Sequence, residues 1–171
     1  LLFILLIILC FFKAKANEEF TFDVTKIEIL ENGNKIIGTN RGLIKSNTGI
    51  DIEADNFEYN QTNNILKLKG NVIINYPDKN YIIFGNEISY LKNKNIINAK
   101  KGIKIIDQNK RVITSDKLFY DISNNIFIIT DNVNIVDNIN YYKISSDKIN
   151  YFKNNEKIES LGSTKALIED N

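Results

Sequence analysis

Ile52-Glu53-Ala54-Asp55-Asn56-Phe57-Glu58-Tyr59, followed past a polar turn by Leu66-Lys67-Leu68-Lys69-Gly70-Asn71-Val72-Ile73-Ile74, is the unit from which the rest of the chain is copied. Its first half returns as Ile83-x-Gly85-Asn86-x-Ile88-x-Tyr90, as Ile113-x-Ser115-Asp116-x-Leu118-x-Tyr120, and as Ile144-x-Ser146-Asp147-x-Ile149-x-Tyr151. The four tyrosines step by 31, 30 and 31 residues. A fixed period of this size means one supersecondary unit repeated along the chain, so function is expected from a surface that all units build together.

After each tyrosine comes a polar stretch, 60–64, 91–95, 121–125 and 152–156, mostly rich in Asn. Asn tolerates left-handed backbone and bonds its own main chain, so these stretches predict hairpin turns. A second apolar strand follows each turn, then a turn-forming step such as Gly70-Asn71 or Asp131-Asn132, then a further alternating run. A weaker unit with Phe22, Ile27, Ile29, Asn32-Gly33 and Gly38 precedes the first. Two long strands per unit predict an all-β fold of about ten strands in two packed antiparallel sheets, with no helix after the leader. Within each first strand the apolar positions change parity at the Asp or Asn: Ile52 and Ala54 fall on one face, Phe57 and Tyr59 on the other. A flat strand keeps one period of two, so the flip predicts a bulge that re-aims the chain, with Asp55 and its counterparts bonding groups at the bend.

Leu1 to Phe12 are continuously apolar and Ala14-Lys15-Ala16 follows. Twelve residues are too few for a membrane-spanning helix, which needs about 20. The pattern predicts an export signal over residues 1–16, shortened at its start, and a domain over 17–171 that is not assumed to end naturally at Asn171. Cys10 lies inside the apolar stretch, and no small residue precedes it as a lipid attachment site would want. The remainder has no Cys, no His and one Pro, so disulfides cannot hold it together. Without His or Cys there is no nucleophilic triad, no zinc site of the usual kind and no phosphate loop, and no cofactor is expected. Asp51, Glu53, Asp55 and Glu58 lie close in sequence, but alternation sends Asp51, Glu53 and Asp55 along a polar face, so a non-enzymatic reading is favoured.

Lys92 to Arg111 holds seven basic residues and one acid, Asp107. A net charge of +1 argues against nucleic acid, and a solvated, aggregation-resistant sheet edge accounts for the run. The repeating apolar set Ile52, Phe57, Leu66, Leu68, Ile83, Ile88, Ile113, Leu118, Phe127, Ile129, Ile144 and Ile149 has two readings. It forms a packed core, or it lines an elongated groove along which hydrocarbon chains slide, each buried methylene contributing about 0.8 kcal/mol.

The Ala54-Asp55-x-x-x-Tyr59 … Gly70-Asn71-Val72 signature, repeated behind an export signal, resembles the OstA-like domain of the lipopolysaccharide-transport proteins: the bridge protein LptA and the N-terminal part of the assembly protein LptD. The resemblance covers about residues 22 to 168, is strongest from Ile52 to Ile74, and weakens where Gly85-Asn86 and Ser115-Asp116 replace Ala-Asp. It implies a β-jelly roll open along one side, whose interior holds lipopolysaccharide acyl chains in the periplasm. It implies partners too: other such domains joined by edge-strand addition, and an outer-membrane barrel further along the chain if the protein is of the LptD type. The leading segment from Phe20 to Gly42 leans towards that type. The rival expectations are an adhesin-like β-solenoid with a closed core, whose rungs usually run 20 to 25 residues, and an exported glycan-binding or glycan-cleaving β protein.

Overall fold

The computed structural model describes residues 20–168, so the export signal and Cys10 lie outside the described residues. Twelve strands follow one another: β1 Phe20–Leu30, β2 Lys35–Ser46, β3 Asp51–Ala54, β4 Asn56–Asn60, β5 Ile65–Tyr76, β6 Tyr81–Leu91, β7 Ile96–Asp107, β8 Val112–Asp121, β9 Ile126–Asp137, β10 Tyr142–Phe152, β11 Lys157–Leu161 and β12 Lys165–Ile168. Single 3-10 turns at Glu31–Gly33, Pro77–Lys79, Lys92–Lys94 and Lys153–Asn155 close four of the hairpins. Every pairing is antiparallel, and sequence neighbours pair as short hairpin connections require, except β3 with β4 and β11 with β12. The count exceeds the expected ten because Asp55 splits one long strand into β3 and β4, and the Gly162 bend splits the last into β11 and β12.

The parity flips are bulges. Gly70 and Asn71 of β5 lie opposite Asn86 alone, Lys101 and Gly102 of β7 opposite Asp116, and Asp131 and Asn132 of β9 opposite Asp147. Each of these pairs has positive φ, including 79° at Gly70, 68° at Lys101 and 65° at Asp131. The acids at the flips bond across the bend, as the sequence predicts. Asn71 Nδ2 donates to Asp55 at 2.8 Å, Asn132 Nδ2 to Asp116 at 2.6 Å, and the Ser163 N–H to Asp147 at 2.8 Å. At Gly70 a Cβ would come within 2.6 Å of the Asp55 carboxylate, so both backbone angle and space demand glycine there.

The bulges fold every long strand back on itself. Tyr142 and Tyr151 stand nine residues apart on β10, about 30 Å along a straight strand. Both hydroxyls nevertheless accept from one Arg111 guanidinium, at 3.3 and 2.6 Å. The two layers are therefore the two halves of one continuous sheet. The first layer holds 20–24, 42–46, β3, 72–76, 81–85, 103–107, 112–115, 133–137, 142–146 and β12. The second holds 26–30, 35–39, β4, 65–69, 87–91, 96–100, 117–121, 126–130, 148–152 and β11. Between them lies one apolar core dominated by Ile, Leu, Phe and Tyr. This is the all-β roll expected from the repeats.

The turns ending the second layer stack as a ladder of their own. The Gln61, Lys92, Ile122 and Lys153 N–H groups donate to the carbonyls of Asn34, Asn64, Asn95 and Asn125 at 2.8–3.1 Å. Asn64, Asn95 and Asn125 have φ between 52° and 57°, the left-handed conformation in which asparagine is tolerated. Each unit's turn thus satisfies its successor, which explains the constant period.

Candidate functional site

Because the strands fold at the bulges, their far ends meet along a seam opposite the bend. One lip carries the turns of the first layer and the residues entering β6, β8 and β10; the other carries the turns of the second layer. The recurring tyrosines Tyr59, Tyr90, Tyr120 and Tyr151 line the second lip and are all buried. Tyr59 and Tyr120 donate to the left-handed Asn64 and Asn125 five residues on, at 3.1 and 2.9 Å. The fourth unit substitutes Glu156, which accepts from the Tyr151 hydroxyl at 2.9 Å.

The opposite lip has one repeat position, two residues before the motif isoleucine, occupied in turn by Ile50, Tyr81, Arg111 and Tyr142. Its chemistry runs from apolar through phenol to guanidinium and back to phenol. At the N-terminal end the seam is closed by rings. Phe20 meets Tyr59 edge-on at 5.3 Å, Phe22 stacks on Phe57 at 5.0 Å, and the Lys92 ammonium sits 5.1 Å above Phe20. In the middle, Tyr81 packs edge-on against Tyr120 and Phe127, each at 5.3 Å, and these two stack at 4.0 Å.

Arg111 closes the C-terminal end. Its side chain is 6 % exposed and donates to Asp107 at 2.8 Å, to Tyr151, to Tyr142 and to Glu156, with Asp137 at 4.0 Å. Lys153 is also buried and donates to Glu156 at 2.9 Å. Burial alone would lower the Arg111 pKa, but bonds to Tyr142 and Glu156 and the field of Asp107 outweigh it and hold the guanidinium charged. Burial pushes Glu156 up, and donation from Lys153, Arg111 and Tyr151 more than offsets this, leaving it below the ordinary glutamate value. Asp137 is likewise held low: burial opposes, while Asn140, the Ile139 N–H and Arg111 favour the carboxylate. Such a cluster is stable only because every charge is paired.

Arg111 therefore does not belong to the solvated basic run that its neighbours suggest. The lysines of that run do behave as expected, with Lys100, Lys101, Lys104 and Lys110 exposed. Aligning the repeats at Ile52, Ile83, Ile113 and Ile144 and stepping back two residues would have marked Arg111 as inward-facing. The close-set carboxylates are paired on the outer surface: Arg41 bonds Glu53 at 2.6 Å and Asp55 at 3.4 Å, and Glu58 meets Lys35 and Lys67.

The structure brings the twelve candidate lining residues into one interior. Ile52, Phe57, Leu66, Leu68, Ile83, Ile88, Ile113, Leu118, Phe127, Ile129 and Ile149 are buried, none more than 3 % exposed, and Ile144 is partly buried against them. These side chains are packed into one buried cluster. A groove of about 550 Å³ lies at the second layer, lined by Glu58, Lys67, Ser89 and Asn98 and also by Phe57, Leu68 and Ile88 of the candidate set. At Gly38 a Cβ would run into the Phe57 ring, so the interior is tight there even for a methyl group. The two ends of the array differ from its middle. Among the described residues, β1 pairs only with β2, while β11 and β12 pair only with β10. Ile27, Ile29 and Leu30 at one end and Leu161, Leu167 and Ile168 at the other are 43–74 % exposed.

Comparison with known proteins agrees with this architecture. Residues 20–161 match the family described as OstA-like protein. No curated protein matches by sequence. Among solved structures, the chain is similar to LptH of Pseudomonas aeruginosa, described as the LptA homologous periplasmic component of the conserved lipopolysaccharide transport device. The TM-score is 0.65 and the identity 12 %, over 72 % of this chain and 96 % of that one.

Proposed function

The chain belongs to the OstA-like protein family, and we propose that it is a non-catalytic lipopolysaccharide transport protein whose apolar interior receives acyl chains in the periplasm and passes them towards the outer membrane. The observation that carries this reading is the continuous Ile, Leu, Phe and Tyr interior, bounded by a seam that, among the described residues, is held by side-chain contacts and not by a backbone ladder. The closed interior is the free state. Chains enter by parting the lips, and the methylenes they bury replace the apolar contacts that are lost.

The exposed apolar residues of β1 and of β11 and β12 mark the two ends as templates for strand addition to further roll domains of the same kind. An end-to-end series would carry the interior from one molecule to the next. This suits a free-standing bridge of the LptA type and equally the periplasmic part of an LptD-type protein.

Photocrosslinking tests the reading. A photoreactive residue at Phe57 or Phe127 is expected to form adducts with purified lipopolysaccharide, and one at the exposed turn residue Asn155 is not. Adducts at neither interior site, in protein shown to be folded, would overturn it.

A further inference from the structure

The first-layer turns can be compared position by position, counting back from Ile50, Tyr81, Arg111 and Tyr142. The residue just before these is Gly49, Asn80, Lys110 and Tyr141, and all four are left-handed, with φ of 83°, 54°, 58° and 53°. Gly and Asn suit that conformation, whereas an aromatic side chain adopts it at a cost. Two residues earlier stand Asn47, Asp78, Gln108 and Ile139. The fourth turn therefore carries Ile and Tyr where the other three carry polar residues or Gly. Both are exposed, Ile139 by 57 % and Tyr141 by 44 %. The other exposed large apolar residues among those described lie on the end strands β1, β11 and β12, where the proposed strand addition would cover them.

The tip is firmly held. The buried Asp137 carboxylate accepts from the Ile139 N–H at 2.9 Å, from the Asn140 N–H at 2.7 Å and from Asn140 Nδ2 at 2.9 Å. The neighbouring turn is pinned in the same way, Asp107 accepting from the Asn109 and Arg111 N–H groups, yet it presents Gln108 and Lys110. The frame is shared and the side chains are not, so the frame does not account for Ile139 and Tyr141. Over 107–111 and 137–143 the exposed charges are Lys110 and Lys143, while Asp107 and Asp137 are buried beneath their turns.

We propose that the β9–β10 tip docks on an anionic lipid surface, with Ile139 and the Tyr141 ring entering the headgroup layer and Lys110 and Lys143 meeting lipid phosphates. A convex tip with two apolar side chains offers far less than the roughly 800 Å² per partner of a standard protein interface, but fluid lipid closes around it. Tyrosine, with an apolar ring and a polar end, belongs at that depth, and each lysine adds attraction to anionic lipid. The inference makes no use of the interior and stands whether or not acyl chains enter it.

Co-sedimentation tests it, using the chain from Asn17 onward, which keeps all twelve strands and lacks the apolar leader. The vesicles contain phosphatidylcholine alone, or phosphatidylcholine and phosphatidylglycerol in equal parts, and no lipopolysaccharide. The native chain is expected to bind the anionic vesicles about tenfold more tightly than the neutral ones, and Lys110→Gln with Lys143→Gln to remove that preference. Ile139→Asn with Tyr141→Asn should weaken anionic binding by about tenfold. Tyr141→Asn alone should raise the melting temperature by about 1–3 °C, because it relieves the left-handed tyrosine. No binding by the native chain, or binding that the Ile139 and Tyr141 changes leave intact, would overturn the proposal. Loss of binding together with a lowered melting temperature would do the same, since a loosened fold would then explain it.

Discussion

The two halves of the seam are built on the same backbone and held by different forces. Around Phe20, Phe22, Phe57 and Tyr59 the lips meet through rings, with no buried ion pair among the described residues there. Around Arg111 they meet through three carboxylates, two phenols and a buried lysine. The repeat therefore determines where strands, bulges and turns fall, and leaves one inward position per unit free to vary. That position decides how each stretch of seam is closed. Apolar burial is non-directional and can re-form around an inserted chain, whereas an ionic cluster opens only when its members find other partners. On this comparison the proposed opening is expected to begin in the N-terminal half, with the C-terminal half resisting it.

The largest expected effect that sharpens the contrast comes from Arg111→Met. It leaves Asp107 and Asp137 buried without their cation and should cost about 3–5 kcal/mol in urea unfolding. A loss no greater than that of a surface residue would show that the cluster does not hold the seam. Next comes Tyr120→Phe, which strips the buried Asn125 carbonyl of its donor and should cost about 1–3 kcal/mol. Tyr59→Phe makes the same change beside the more accessible Asn64 and should cost about 0.5–1.5 kcal/mol. A reversed order for the two tyrosines would break the view that the seam is tighter towards the C-terminus.

The smallest effect is one of pH. Glu156 titrates below its ordinary 4.5 in the folded protein. Its contribution is therefore fully present above that value and is lost as pH falls through the lowered one. Glu156→Gln should flatten the acid limb of the stability profile relative to the native chain, with little change near neutrality in the profile's slope. Parallel profiles would remove Glu156 from the account.

Much of this was legible in the residues. The period located the strand pairs, the parity flip at Asp55, Asn86, Asp116 and Asp147 located the bulges, and the Asn-rich stretches located the turns. The apolar set proved to be one interior because alternation on a folded-back strand leaves it no other place. What was not legible was charge. Lys-rich surroundings made Arg111 look solvated, since local composition carries no information about a partner 40 residues away on β10. Nor could spacing show whether the interior is filled, which depends on how closely the two layers approach across Phe57, Tyr81 and Phe127.

The central claim is that the lips part to admit lipid, and the distance across them tests it most directly. Spin labels on Lys110 and Asn155, neighbours of the bonded pair Arg111 and Glu156, bracket the C-terminal seam; labels on Thr21 and Asn63 bracket the N-terminal one. Pulsed dipolar spectroscopy of the free protein should give one short distance for each pair. Saturating lipopolysaccharide is expected to lengthen and broaden the Thr21–Asn63 distance, with a smaller change at Lys110–Asn155. Two distances unmoved by bound lipopolysaccharide would contradict the account, because the lipid would then be held outside a roll that never opens.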